Sequence, residues 1–371
     1  MEAASVAGEE VSVAELVAAT GLSVDIALPL LDQAVQAHLL TLPVDAPGTA
    51  RFVHALVRDG VYDNIGPSDR RRMHRALAEV VAAAETGRRE RIAAVASHLA
   101  RGATTPADHL RAATSSRQAG REALAELAYA EAAGQFRTAL HSMAMAGGAA
   151  ATERAEMLLD LAFAEYRSGA FGGALEHCRL AAKVAEVEKR WDLLARAALL
   201  VDGVAVEGGG VLVALCRLAF TLVPEEQLSL RAQLQARLAY AAVEDGDLAS
   251  AQRMSVDSLA LAERTDDPAA LIAGLRARHQ ALAGPEYARE RLQLGTRAIE
   301  LAGRGEPLAA LWGRLWRIGA AFELGDLVGI DGGHRAHAPD DSWAVDTDKW
   351  SVGAGFQRCG LSRDHLASEF S

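Results

Sequence analysis

Two stretches of the chain, LAFAEYRSGAFGGA (residues 161–174) and LAYAAVEDGDLASA (residues 238–251), share one pattern. In both, an Ala-rich apolar segment ends in a glycine, and an apolar residue and then an alanine follow within five positions. A glycine that ends one helix, an apolar residue that begins the next and an alanine one turn later are typical of two helices that pack closely. The pattern therefore predicts a repeat built of paired helices.

The same pattern recurs along most of the chain at intervals of about 40 residues. Its apolar positions are Tyr129, Phe171, Val211, Leu248, Tyr287 and Leu327. Glycine or proline stands two residues earlier at Gly169, Gly209, Gly246, Pro285 and Gly325, and alanine three residues later at Ala132, Ala174, Ala214 and Ala251. The period predicts a tetratricopeptide-like α-solenoid over residues 90–328, whose concave groove would bind a protein or a peptide.

Composition supports the helical prediction. The 371 residues include 79 Ala, only 10 Pro and 5% aromatic residues, which favours helices packed through small side chains and excludes a mostly β architecture. Within the solenoid, Trp312 and Trp316 lie on one helical face and are predicted to be core. The predicted fold class is all-α, with a small winged-helix domain followed by a tetratricopeptide-like α-solenoid.

The winged-helix prediction concerns residues 1–85. Ser23 is a predicted N-cap, and the turn residues of segment 43–48 separate two short apolar runs. The pattern predicts helices over residues 11–19, 24–39, 54–65 and 69–85, and strands over residues 39–42 and 51–53. The buried stripe of the second helix is predicted to hold Leu28, Leu31, Val35 and Leu39. Helix, helix, hairpin, helix is the element order expected of a winged helix.

Charge and cysteine content limit the class of protein. The formal net charge is −11, and the three cysteines form no CxxC pair, so neither a disulfide framework nor a structural zinc site is predicted. No signal peptide is apparent at the N-terminus, and the longest apolar run, residues 211–223, is too short to span a bilayer. These features predict a cytoplasmic protein with no metal, no cofactor and no membrane segment.

A basic cluster interrupts the acidic sequence at Arg70, Arg71, Arg72 and Arg75. These side chains are candidates for contact with nucleic-acid phosphates. The favoured interpretation is a solvated helix face with local ion pairs. Other constellations predict no catalytic site: His334 and His337 lie near Asp340 and Asp341 without a further ligand pair, and no GxSxG motif is present.

Residues 51–79, RFVHALVRDGVYDNIGPSDRRRMHRALAE, carry a more specific pattern: Phe-x-His-x-Leu-Val-Arg, then Val-Tyr, then an Arg-rich turn before Met-His. Its two histidines, His54 and His74, are candidate functional residues. This block resembles a stretch of large bacterial regulators of the LuxR-type ATP-binding class and of related signalling ATPases, some fused to nucleotide cyclases. The resemblance covers residues 8–330 when the repeats are included. It implies that His54 could contact a nucleotide in an intact relative; a histidine hydrogen-bonded at the end of the wing is the favoured alternative.

The chain departs from that family at both functional ends. The family's ATPase module needs a GxxxxGK[ST] loop, and none of the three lysines (Lys183, Lys189 and Lys349) follows a glycine. The tail also shows no helix-turn-helix pattern. What remains resembles the central winged-helix and sensor region, which predicts a non-catalytic signal-sensing and protein-interaction segment.

Two alternatives stay open. The winged helix could bind DNA directly, or the chain could be the scaffold half of a split ATPase or cyclase that meets a P-loop domain in trans. Residues 329–371 form a third open question, because the Ala-rich texture stops near residue 330. This segment is either a natural irregular extension or, as we favour, sequence read after loss of the coding frame. The solenoid would then lack a capping helix and expose an apolar face.

Overall fold

The computed structural model describes residues 1–43, 48–83, 88–148, 150–201, 209–302 and 307–326. Its chain divides into two compact units, Met1–Leu193 (unit 1) and Leu194–Ser371 (unit 2). The predicted boundary near residue 85 and the predicted tail after residue 328 fall outside the described residues, so the predicted domain division stays a prediction.

Unit 1 begins with seven short elements and a small sheet. They are α1 (Glu2–Ala7), β1 (Glu10–Ser12), α2 (Val13–Thr20), α3 (Val24–Gln36), β2 (Leu40–Thr41), β3 (Thr49–Phe52) and α4 (Ala55–Asp63). The sheet is antiparallel in the order β1-β3-β2, with Leu40 opposite Phe52 and Val11 opposite Ala50. The predicted hairpin is therefore confirmed, and the predicted two-stranded sheet has a third strand.

The sequence prediction was wrong at the start of this region. It missed α1 and began the first predicted helix at residue 11, whereas β1 extends to Ser12 and α2 begins at Val13. The reason is a capping box: the Ser12 hydroxyl accepts a hydrogen bond from the Glu15 amide, and the Glu15 carboxylate accepts one from the Ser12 amide. This reciprocal cap starts α2 at Val13 and leaves the preceding residues free to pair as a strand.

The predicted buried stripe of α3 was also shifted. Its buried residues are Ala27, Leu31 and Ala34, whereas Leu28 is exposed and Val35 is only partly buried. The helix thus packs through two alanines and one leucine, which permits a close approach to the rest of the core. A pattern that weights residues by size selects the larger leucines instead.

Six further helices complete most of unit 1. They are α5 (Pro67–Ala83), α6 (Arg88–Gly102), α7 (Pro106–Ala125), α8 (Tyr129–Met145), α9 (Ala151–Arg167) and α10 (Phe171–Val187). Helix α11 (Trp191–Leu199) spans the division between the units. Each helix packs against its neighbour in sequence from α5 to α10.

Unit 2 consists of helices in its described part. They are α12 (Gly209–Leu222), α13 (Leu228–Glu244), α14 (Leu248–Ala262), α15 (Pro268–Ala281), α16 (Ala288–Leu301) and α17 (Pro307–Glu323), with a 3₁₀ turn at Pro285–Tyr287. Helix α15 packs against both α13 and α14, and α16 packs along α17. The predicted all-α architecture of paired, tetratricopeptide-like helices is confirmed for the described residues.

Three of the six predicted repeat positions are helix starts, Tyr287 directly precedes one, and Leu327 lies outside the described residues. Helices α8, α10 and α14 begin at Tyr129, Phe171 and Leu248. The alanines one turn later, Ala132, Ala174 and Ala251, are fully buried. The prediction was wrong for Ala214, which is exposed while Leu212 and Leu215 are buried, because α12 begins at Gly209 rather than at Val211.

The turns before these helices share one backbone motif. At Gly169 and Gly246 the backbone adopts a left-handed conformation, with φ of 88° and 79°. The next residue donates a hydrogen bond to the carbonyl five positions back, as in Ala170 to Glu165. The equivalent position before α8 is occupied by Leu127, with φ of 62°, so the first pair has the motif without the glycine.

Candidate functional site

The predicted arginine cluster lies on α5 and is partly engaged in local contacts. Arg70 sits over the Tyr62 ring, 4.4 Å from its centroid, and donates to the Ile65 carbonyl at 2.9 Å. Arg72 pairs with Asp69 at 3.4 Å, and Arg75 donates to the Thr104 hydroxyl at 3.3 Å. Arg71, Arg72 and Arg75 are exposed. Contact with nucleic acid stays a prediction.

The two histidines singled out by the sequence lie in different environments. His54 is the exposed N-cap residue of α4, next to the end of β3. His74 is fully buried on α5, where its Nε2 lies 3.0 Å from the Tyr62 hydroxyl and its Nδ1 lies 2.8 Å from Nδ1 of His98. The structure therefore does not bring the two predicted histidines together.

A groove in unit 2 is the clearest candidate for a binding surface. Helices α13 and α15 pack side by side and leave a cavity of about 200 Å³ between them. Its lining combines small alanines with a few long polar side chains, and the polar members are Gln233, Arg237, Tyr240 and Arg276. The alanines keep the floor of the groove low, so the longer side chains form its walls.

The polar side chains of this groove are held in place by neighbours. The guanidinium of Arg276 lies 4.2 Å from the centroid of the Trp312 ring, a cation-π contact. Arg237 donates to the Leu199 carbonyl at 3.4 Å. The Gln233 amide donates to the Ser229 hydroxyl at 3.2 Å. These contacts restrict the side chains before a ligand arrives, which lowers the entropy lost on binding.

An apolar strip on α17 carries the same repeat positions. Leu308, Leu311 and Leu315 follow the groove residues Ala269, Ile272 and Arg276 by 39 residues each. The three leucines are 62%, 41% and 55% exposed. The buried face of α17 keeps the same register, since Trp316 packs in the core and stacks on His279 with ring centroids 4.6 Å apart. The core prediction is thus confirmed for Trp316, and Trp312 is partly buried against the same core.

The chemistry of this surface is that of recognition. Two guanidinium groups provide charge-assisted donors for a carboxylate, and the leucines provide apolar area of the kind that marks interaction surfaces. In the described parts of the chain, no cluster of three or more His, Cys, Asp or Glu side chains is placed to hold a metal ion. His334, His337, Asp340 and Asp341 lie outside the described residues.

Sequence reasoning missed the groove residues, although a signal was present. Arg237 and Arg276 are separated by 39 residues, one repeat period, and so are Gln233 and Ile272. Repetition was sought only in glycine, alanine and helix-start positions. A search for charged residues that recur at the same period would have placed both arginines on one face.

No single helix of the described chain is long and apolar enough to cross a membrane; α2 and α3 meet the length and composition test only as a pair bent by 112°.

Comparisons with known proteins gave matches among solved structures, where fifteen chains match. No protein-family model matches the chain, and no curated protein matches it. Among solved structures, one similar chain is the Signal Transduction ATPase with Numerous Domains (STAND) protein with a tetratricopeptide repeat sensor from Pyrococcus horikoshii. The identity is 9% and the TM-score 0.34, over 90% of this chain and 62% of that chain. At that TM-score the match does not establish a common fold.

Proposed function

We propose that the chain is a non-catalytic sensor and protein-interaction segment, and that the groove between α13 and α15 is its binding surface. The observation that supports this proposal is the repeat-related arrangement of Arg237, Arg276 and the α17 leucines. A groove with two guanidinium groups beside an apolar strip fits a peptide that combines acidic and large apolar side chains. The groove supplies the polar contacts and the α17 leucines the apolar ones, in one repeat register.

The wider context of this proposal is a LuxR-type ATP-dependent regulator. The support comes from the residue pattern of segment 51–79 and from the order of α2, α3, β2, β3 and α4, which is that expected of a winged helix. We propose that these first elements form a winged-helix domain that acts with a P-loop ATPase domain rather than on DNA.

The surface of α3 argues against direct DNA binding. In the proposed winged helix, α3 is the second helix of the helix-turn-helix and would enter the major groove. Residues 1–50 contain no Lys or Arg, and α3 exposes Val24, Ile26, Leu28 and Leu30 beside the exposed Asp25 and Asp32. A surface without cations gains little from phosphate contacts, which supply most non-specific DNA affinity.

The DNA alternative has a direct test. A gel-shift assay of the full chain with duplex DNA at about 50 mM salt should show no retardation, because affinity from phosphate contacts is greatest at low salt. Retardation that weakens steeply as salt rises would favour the alternative, and the Arg70, Arg71, Arg72 and Arg75 cluster would be its site.

The groove is tested with labelled peptides. We would measure fluorescence anisotropy of a fluorescein-labelled peptide of alternating Leu and Glu with the full chain, beside the matched Leu and Gln peptide. The acidic peptide should bind at least about tenfold more tightly, since a charge-assisted hydrogen bond contributes about 1.5–3 kcal/mol. The double variant Arg237→Gln, Arg276→Gln should remove that preference.

Arg253→Gln is the matched control, because Arg253 is an exposed arginine on α14 that bonds only locally to Ser250. It should leave the affinity unchanged. Equal affinity for the two peptides, or equal weakening by the control, would count against the groove.

A further inference from the structure

A second cavity, inside unit 1, has a different character from the groove. It lies between α4, α6 and the end of α1 and has a volume of about 400 Å³. Its polar lining residues are Ser5, Arg58, Asp59, Tyr62, Ser97, His98 and Arg101. The surrounding helices therefore direct hydrogen-bond donors from two different elements into one space.

The two arginines of this lining differ in their partners. Arg58 is paired with Asp59 at 2.7 Å and lies 3.6 Å from Glu9, so carboxylates offset its charge. Arg101 lines the same cavity, is exposed, and forms no ion pair with a carboxylate of the described residues. The charge of Arg101 also contributes to lowering the pKa of both His74 and His98, so it acts on the inner wall of the cavity. Arg101 therefore favours a negative ligand at its end of the cavity.

The lining residues Tyr62 and His98 are joined by hydrogen bonds through His74, which lies behind them. The Tyr62 hydroxyl lies 3.0 Å from Nε2 of His74, and the two histidine Nδ1 atoms are 2.8 Å apart. Burial, with smaller contributions from neighbouring cations, lowers the pKa of His74 to about 3 and that of His98 to about 4. Both rings are thus neutral at pH 7, and a single proton lies between the two Nδ1 atoms.

The direction of these hydrogen bonds decides whether Nε2 of His98 is a donor or an acceptor toward the cavity. If the Tyr62 hydroxyl donates to His74, then His74 donates through Nδ1 to Nδ1 of His98. The remaining proton of His98 then sits on Nε2, and His98 becomes a hydrogen-bond donor there. If these bonds run the other way, Nε2 of His98 is an acceptor. An anion in the cavity selects the first direction.

We propose that this cavity binds a small oxyanion, a carboxylate or a phosphate, through Arg101, the Ser97 hydroxyl and Nε2–H of His98. The bound anion fixes the tautomers of His98 and His74 and ties α4 to α6 through Tyr62. This site is independent of the groove in unit 2, so either proposal can fail without the other.

The test is calorimetric titration of the full chain at pH 7 with inorganic phosphate and, separately, with acetate. Saturable binding of either anion is expected, and the anion that binds identifies the chemistry of the ligand. Arg101→Gln should weaken binding at least about tenfold, because it removes a charge-assisted hydrogen bond. Ser97→Ala should weaken binding less, by loss of one neutral hydrogen bond.

Arg72→Gln serves as the control, since Arg72 is exposed and pairs only with Asp69 on the same helix. It should bind like the unaltered chain. Absence of saturable heat with both anions up to about 20 mM, or equal weakening by Arg72→Gln and Arg101→Gln, would overturn the proposal. Nitrogen-15 NMR of the His98 ring gives a readout of its own: the added anion should shift the tautomer toward Nε2–H.

Discussion

The two compact units bury different kinds of side chain. Within the described residues, unit 1 buries two histidines and two carboxylates, His74, His98, Asp160 and Glu165, besides three serines. In the same part of the chain, the fully buried polar residues of unit 2 are two serines, Ser255 and Ser258, and its His279 is partly buried. Unit 2 instead brings its helices together through small residues and stacked rings, as at Gly295, Gly313 and Trp316.

This difference indicates which changes should destabilise each unit. A buried ionisable group is stable only while its partners and its protonation state are kept. A contact between small residues is insensitive to charge, but it fails when volume is added. We therefore expect unit 1 to respond to pH and to loss of charged partners, and unit 2 to respond to added methyl groups.

The largest effect is expected from acid. Both His74 and His98 have a pKa far below the ordinary 6.5, so the folded state favours their neutral form. The stability that this form contributes is complete above pH 6.5 and is lost as pH falls below it, since the unfolded state then binds more protons. At pH 5 the loss is about 2 kcal/mol for each histidine.

Hydrogen exchange at pH 7 and pH 5 separates the units. Amides of α5 and α6 should lose more protection than those of α16, because unit 2 holds one histidine of this kind, His279, whose pKa burial lowers to about 4. The variant His98→Gln should remove about half of the pH dependence in unit 1. Equal loss of protection in both units would break the comparison.

The second effect concerns the ion pairs between α7 and α9. Arg117 contacts both Glu156 at 3.1 Å and Asp160 at 3.3 Å, and it is largely buried. Arg117→Met removes the shorter ion pair of the buried Asp160 carboxylate, while the longer one to Arg121 at 3.7 Å stays. We expect a loss of about 2–3 kcal/mol in the free energy of unfolding, measured by urea denaturation.

Arg121→Met is the matched control, because Arg121 reaches the same carboxylate from a position that is 59% exposed. It should cost less than about 1 kcal/mol. Similar losses for the two variants would mean that burial is not what gives the Arg117 pair its importance.

The third effect tests packing in unit 2. A Cβ added at Gly313 would collide with the Gly295 carbonyl oxygen, and one added at Gly295 would lie 2.7 Å from the Gly313 carbonyl oxygen. Since backbone faces backbone there, no side chain can move aside. Gly313→Ala should lower the free energy of unfolding by about 1–3 kcal/mol.

Gly319→Ala is the matched control, because Gly319 lies in the same helix but faces open space. It should instead raise the free energy of unfolding by about 0.5–1 kcal/mol. Thermal unfolding of the pair gives the answer, and a stabilising Gly313→Ala would refute the close contact.

The same contrast explains how far the sequence could predict the structure. Repetition in unit 2 and in α7–α10 depends on local signals, namely a turn glycine, a helix-start residue and a small residue one turn later. These signals predicted the starts of α8, α10 and α14. They did not predict the exposure of Ala214, because α12 begins two residues earlier than predicted and buries a different face.

The candidate sites were harder to predict, for a different reason. His74 was singled out, but its partners Tyr62 and His98 lie on α4 and α6, and only the packing of those helices brings the three together. Arg101 is an exposed arginine with no motif around it, and only the folded chain places it at the cavity beside α4. Burial and charge balance are properties of the assembled helices, and a periodic pattern in one segment does not contain them.

The smallest effect concerns the helix end that lacks a glycine. Leu127 occupies, with φ of 62°, the left-handed position that Gly246 occupies in unit 2, and its side chain is mostly exposed. The left-handed conformation costs a non-glycine residue about 1–2 kcal/mol, part of which is offset by the greater freedom of glycine in the unfolded chain. Leu127→Gly should therefore stabilise the protein by about 0.5 kcal/mol, whereas Gly246→Ala should destabilise it by about 1 kcal/mol.

Leu127→Ala distinguishes the effect of the exposed side chain from that of the backbone, since it removes the side chain and keeps the strained backbone. If Leu127→Ala stabilises as much as Leu127→Gly in urea denaturation, the exposed leucine rather than the backbone is the source of the strain.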